Sequence, residues 1–69
     1  MSFGELMKSK REELGITRAE LAKDLAIYRQ GVAHYENDRQ LPNLRTATAI
    51  ADALGIPYLE MCRAVGGDR

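Results

Sequence analysis

The chain has little of what builds cross-linked, metal-held or membrane-bound structure. One cysteine leaves no internal disulfide, and one cysteine with one histidine falls short of a structural zinc site. No segment approaches the roughly 18 apolar residues that cross a bilayer. The opening Met1-Ser2-Phe3-Gly4-Glu5 lacks the basic region and apolar run of a secretory leader. A soluble, cytoplasmic protein is therefore expected, with no metal and no cofactor. Three tyrosines and one phenylalanine are the only aromatics, and they are expected to be buried, which disfavours stacking on RNA bases. No serine, cysteine or carboxylate pair stands where it would form a nucleophile–base unit with His34, so catalysis is not expected. Net charge is also missing: ten basic residues balance ten acidic ones, and the pI is about 6.6. A nucleic-acid-binding role would then need its basic residues gathered on one face.

What is present is the composition of an ordinary globular domain, 45% hydrophobic and 29% charged. At 69 residues the chain makes a single domain, 1–69, with 66–69 expected to fray. Its core is near the lower limit for folding alone, so self-association is expected. Neither a β-branched run nor period-two alternation competes with helical spacing, and no internal repeat or low-complexity tract appears. Phe3, Leu6, Met7 and Leu14 space a first helix over 2–14, stopped by Gly15. Thr17 and Glu20 form a capping box for a second helix with the stripe Leu21, Ala22 and Leu25. A third follows Ile27 and carries Tyr28, Val32 and Tyr35 on one side. Asn43 caps a fourth with Leu44, Ala47, Ile50, Ala51 and Leu54 on its face, closed by Gly55. Pro57 opens a fifth with Tyr58, Met61, Cys62 and Val65. The fold class is all-α, a compact five-helix bundle in which the short second and third helices form a helix-turn-helix.

The third helix has two faces. Arg29, Gln30, Ala33, His34 and Asn37 share the arc opposite its apolar side. Arginine donates two hydrogen bonds to guanine, glutamine pairs with both edge atoms of adenine, and a small residue between them lets the helix sit close in a major groove. Any exposed helix face is polar, so this pair alone does not settle a role. His34 is read equally as a base or phosphate contact and as a plain exposed histidine.

The stretch "ITRAELAKDLAIYRQGVAHYENDRQLP" resembles the helix-turn-helix of the phage repressor and Cro class, with Leu21, Ala22, Leu25, Ile27, Val32, Tyr35 and Glu36 at matching positions. "KSKREELG" before it and "AIADALGIPYLEM" after it extend the likeness over nearly the whole chain. The resemblance implies a lambda-repressor-like bundle and a sequence-specific regulator, most simply a repressor, bound as a homodimer to double-stranded DNA. It places Arg29, Gln30, Ala33 and His34 against base edges. Arg18, where the family usually has a glutamine holding a phosphate, joins Tyr28, Asn37, Arg39 and Arg45 on the DNA backbone. It pairs Arg11 with Glu36 in a structural ion bridge. It puts dimer contacts at Leu41, Pro42, Leu44, Tyr58, Met61, Cys62 and Val65, although Tyr58, Met61 and Val65 are read equally as core and Cys62 is most simply a small buried residue.

No membrane association is expected, and no small-molecule ligand is evident in the sequence. Four cationic residues of this face, Arg18, Arg29, Arg39 and Arg45, would lie apart from most of the acids. The chain departs from the family at three places. Ala26 stands where glycine is preferred in a left-handed turn, Tyr28 where Ser or Thr caps the recognition helix, and Asp38 where glycine commonly closes it. Gly31 is read as relieving crowding where the third helix crosses the second. A protein partner, as for an antitoxin-type interaction module, is the alternative use of the same surface, and neutral charge with Asp38 speaks for it.

Overall fold

The computed structural model describes residues 2–66, and side chains for 2–64. Five helices follow in order: α1 (Phe3–Leu14), α2 (Arg18–Leu25), α3 (Arg29–Glu36), α4 (Leu44–Leu54) and α5 (Tyr58–Gly66). No strand occurs among the described residues. Of the tail expected to fray, Gly66 still belongs to α5, and 67–69 lie outside the described residues.

The helix starts are set by short polar side chains. Ser2, read from sequence as the first helical residue, is instead the N-cap of α1: its Oγ accepts from the Glu5 N–H at 3.1 Å and its own N–H donates to Glu5 Oε1 at 2.9 Å. Thr17 and Glu20 form the same reciprocal box at α2, and Asn43 Oδ1 accepts from the Thr46 N–H at 2.8 Å at α4. Each of these satisfies a donor that the helix itself leaves free. The helix ends are equally uniform. In α1 to α4 a left-handed residue, Gly15, Ala26, Asp38 and Gly55 in turn, lets the next N–H reach back five residues. The bonds are Ile16 to Arg11, Ile27 to Ala22, Arg39 to His34 and Ile56 to Ala51, at 2.9–3.3 Å.

After three of these turns the chain places an isoleucine on the core, and after the fourth it places the exposed Arg39. Burial alone therefore separates the turn that leads onto the charged loop from those that lead back inside.

The core is Phe3, Leu6 and Met7 of α1, Leu21 and Ala22 of α2, Val32 of α3, Ala47, Ile50, Ala51 and Leu54 of α4, then Ile56 and Met61. α2 packs on α3, and α4 lies against α1, α2 and α5. Three expectations are corrected here. Leu14, the last residue of α1, is exposed rather than part of the inward stripe. Tyr28 and Tyr58 are exposed, at 86% and 62%, where all aromatics were expected inside; Tyr28 precedes α3 and so does not share the inward side of Val32. Gly31 is not needed for the crossing, since a Cβ there would meet only Ile27 Cδ1 at an ordinary 3.6 Å. The close approach is at Gly4 instead. A Cβ there would stand 2.5 Å from the Tyr35 carbonyl oxygen, 2.6 Å from that of Glu36 and 2.7 Å from Asp38 Oδ1, so α1 lies directly against the end of α3.

Candidate nucleic-acid interface

The turn Ala26-Ile27-Tyr28 swings the chain from α2 into α3. Ile27 is anchored by its N–H on the Ala22 carbonyl, and Val32 and Glu36 hold the inward side of α3. The residues left outside are Arg29, Gln30 and His34, all exposed, with the half-buried Ala33 between them. Asn37, Arg39 and Arg45 are exposed in the loop after α3 and at the start of α4. Tyr28 makes no side-chain cap bond at the start of α3, and its ring is in solvent rather than packed inward. This places a guanidinium, an amide and an imidazole along one outward arc of α3, with the exposed Tyr28 at its entry and three further polar or cationic side chains after it.

Glu36 is fully buried at its side chain and receives two arginines. Arg11 Nε donates to Oε2 at 2.6 Å and its Nη2 to Oε1 at 3.3 Å, while Arg18 Nε donates to Oε1 at 2.9 Å. Arg18, expected only at a phosphate, thus has a structural partner that sequence reading missed. Nothing in the spacing of Arg18 and Glu36, eighteen residues apart, signals a contact made only when α2 and α3 fold together.

Asp38 is likewise engaged. Its Oδ2 accepts from Ser2 Oγ at 2.7 Å and its Oδ1 from the Gly4 N–H at 3.1 Å, at the start of α1 where the helix field favours an anion. The carboxylate that counted against phosphate binding thus has a structural role at the start of α1, with its charge retained. Neither the Ser2–Glu5 capping box nor its contact with Asp38 was read from the sequence, where Ser2 was taken as helical.

The residues expected at a dimer contact divide. Pro42 is buried within the chain and is corrected to a structural role, while Met61, read as core or dimer surface, lies in the core. Cys62 is half-buried, and Leu41, Leu44 and Tyr58 are exposed. The side chain of Val65 lies outside the described residues. Leu59, 69% exposed on the outer side of α5, joins the exposed set and was not singled out from sequence. The exposed Tyr58 phenol is held above its ordinary range chiefly by hydrogen bonding with Cys62 one turn on.

Among the described residues, no group of three or more His, Cys, Asp or Glu is placed to hold a metal, and no helix is long and apolar enough to cross a membrane. The sequence model of the helix-turn-helix family matches residues 7–61, which takes in α2, α3 and the elements that support them. The chain is a helix-turn-helix protein of the phage repressor and Cro type. This family is one of DNA-binding transcription regulators, not enzymes.

Among its relatives is an immunity repressor protein of Bacillus phage phi105, 39% identical over 56 residues, which are 81% of this chain and 39% of that repressor. An uncharacterised HTH-type transcriptional regulator of Methanothermobacter thermautotrophicus is 40% identical over 55 residues, 80% of each chain. The HTH-type transcriptional repressor RghR of Bacillus subtilis is 36% identical over 58 residues, 83% of this helix-turn-helix chain and 43% of RghR. The chain thus spans less than half the length of two of the three.

Proposed function

We propose that this helix-turn-helix protein is a cytoplasmic repressor that binds a palindromic operator in double-stranded DNA as a symmetric dimer, one α3 in each of two major grooves about 34 Å apart. The observation that carries the reading is the split of α3: Val32 and Glu36 lock one side into the fold, and Arg29, Gln30 and His34 stand free on the other. In this reading Arg29 and Gln30 read base edges, with Ala33 and His34 one turn on. Asn37, Arg39, Arg45, Arg18 and the Tyr28 hydroxyl grip phosphates. Leu41, Leu44, Tyr58, Leu59 and Cys62 supply the dimer contact. The names of the phage and Bacillus relatives support repression as the outcome.

Selection of bound sequences from a random duplex pool tests it. A two-fold symmetric consensus with half-sites about 10 base pairs apart is expected. Arg29→Ala should then lower specific binding by about 1–3 kcal/mol and relax preference at one base position. An equal loss on all duplexes would move Arg29 to the phosphates. No duplex binding at any salt, with retention of a protein partner, would give the face to a protein-interaction role.

A further inference from the structure

Glu36 has more positive charge around it than neutrality requires. Arg11, with its side chain 11% exposed, already serves the carboxylate through two nitrogens and places its third, Nη1, on the Ile16 carbonyl at 2.9 Å. Every nitrogen of that guanidinium therefore ends on a protein acceptor. Arg18 adds a second guanidinium to the same carboxylate, through Nε alone. Two cations on one anion leave one positive charge over.

The surplus is not favoured locally. Arg18 opens α2, the end at which aligned peptide dipoles disfavour a cation, and it stands beside a second cation. What the contact supplies is orientation. With Nε bonded to a fully buried carboxylate that Arg11 also grips, the guanidinium plane is oriented, and the Arg18 side chain remains 36% exposed and open to another acceptor. A planar fork fixed in this way matches a phosphate, and it loses little freedom on binding one.

We propose that Glu36, buried away from the DNA face, is a positioning residue for DNA binding: its Oε1 presets the Arg18 guanidinium for one backbone phosphate, which neutralises the unpaired charge of the triad. This rests on the DNA-binding reading above and adds a mechanical link. Glu36 is the last residue of α3 and Arg11 belongs to α1, so the phosphate grip at the start of α2 and the helix that reads bases share one carboxylate. A phosphate seated on Arg18 thereby sets the position of α3 in the groove.

The test is the salt dependence of duplex binding, on the selected operator and on an unrelated duplex, for the wild type, Arg18→Gln, Arg18→Lys, Glu36→Gln and the Glu36→Gln, Arg18→Gln double variant. Arg18→Gln should flatten the slope of log K against log salt by about 0.9 on both duplexes, the release of one phosphate's counterion. Its thermal midpoint should change little, because Arg11 still neutralises Glu36. Arg18→Lys should keep the slope and lose affinity about tenfold, since an ammonium carries the charge without the fork.

Glu36→Gln should also keep the slope and bind more weakly, and it should have no further effect on binding once Arg18 is Gln. Where Glu36→Gln fails to fold, the contrast between the Lys and Gln variants of Arg18 decides. An unchanged slope in Arg18→Gln overturns the proposal, as does a Glu36→Gln loss that simply adds to that of Arg18→Gln. A wild type without salt-dependent duplex binding overturns the DNA reading itself. A steep wild-type slope with no change in Arg18→Gln overturns only the role given to the triad.

Discussion

Ala26 adopts φ 57°, ψ 41°, a conformation that costs an L-residue with a Cβ about 1–2 kcal/mol. The same five-residue return closes α1 and α4 at Gly15 and Gly55, so the molecule contains its own control for what that position prefers. Ala26→Gly is expected to raise stability by about 1 kcal/mol in urea unfolding, less than the full strain because glycine also frees the unfolded chain. An unchanged midpoint would mean that the strain relieved is no larger than the cost of glycine's freedom in the unfolded chain.

Two other glycines separate by the space around them rather than by φ. Gly4→Ala drives a Cβ into two backbone carbonyls and should destabilise by roughly 1–3 kcal/mol or more, because carbonyls of a packed helix do not move aside. Gly31→Ala meets only the tip of Ile27 and, inside a helix, should stabilise by about 0.5–1 kcal/mol in the same measurement.

At the scale of the element, α3 is a helix that its own sequence supports poorly. It is eight residues long, its N-cap Tyr28 offers no side-chain acceptor, and no acid stands in its first turn, where Arg29 sits instead. A peptide of that length and capping does not hold a helix in water. Tertiary contacts hold it: Val32 in the core, Glu36 between two arginines, and the approach of Gly4 to its last turn. Glu36→Ala is accordingly expected to remove about 3–5 kcal/mol in urea unfolding, since it leaves two guanidinium groups facing an empty site. A loss under about 1 kcal/mol would place the pair in the class of solvent-screened bridges. The absence of local support has a functional counterpart. A residue near the helix start spent on capping or on offsetting charge would be one fewer available to DNA.

At the scale of the molecule, zero net charge is reached by sorting. Glu36 and Asp38, the two acids of the α3 region, are bound to Arg11, Arg18, Ser2 and Gly4, while Arg29, Arg39 and Arg45 remain exposed. Overall neutrality is thus compatible with a locally cationic face, and binding that depends on it falls as salt rises. The other whole-molecule feature is apolar surface at Leu41, Leu44, Tyr58 and Leu59, which a core of this size leaves uncovered. Leu59→Glu is expected to shift sedimentation from dimer to monomer and to weaken operator binding, without altering the helical circular dichroism of the monomer. A variant that stays dimeric would move the contact off α5.

Much was legible along the chain because it is local: the 3.6-residue spacing of Leu21, Ala22 and Leu25, the Thr17–Glu20 box, Asn43 before α4 and the glycines after α1 and α4 each act within one or two turns. The outward arc of Arg29, Gln30, Ala33 and His34 was legible for the same reason, since facing follows from periodicity once one side is known to be inside. What only the tertiary structure decided lies between elements distant in sequence. It gave Met61 to the core and left Tyr28 and Leu59 in water. It put the tightest approach at Gly4 rather than Gly31. It brought Arg18 beside Arg11 on Glu36, and it tied Asp38 to the start of α1. Periodicity determines which residues share a side of a helix, but which neighbour covers that side, and how closely, depends on how the helices pack around one shared volume.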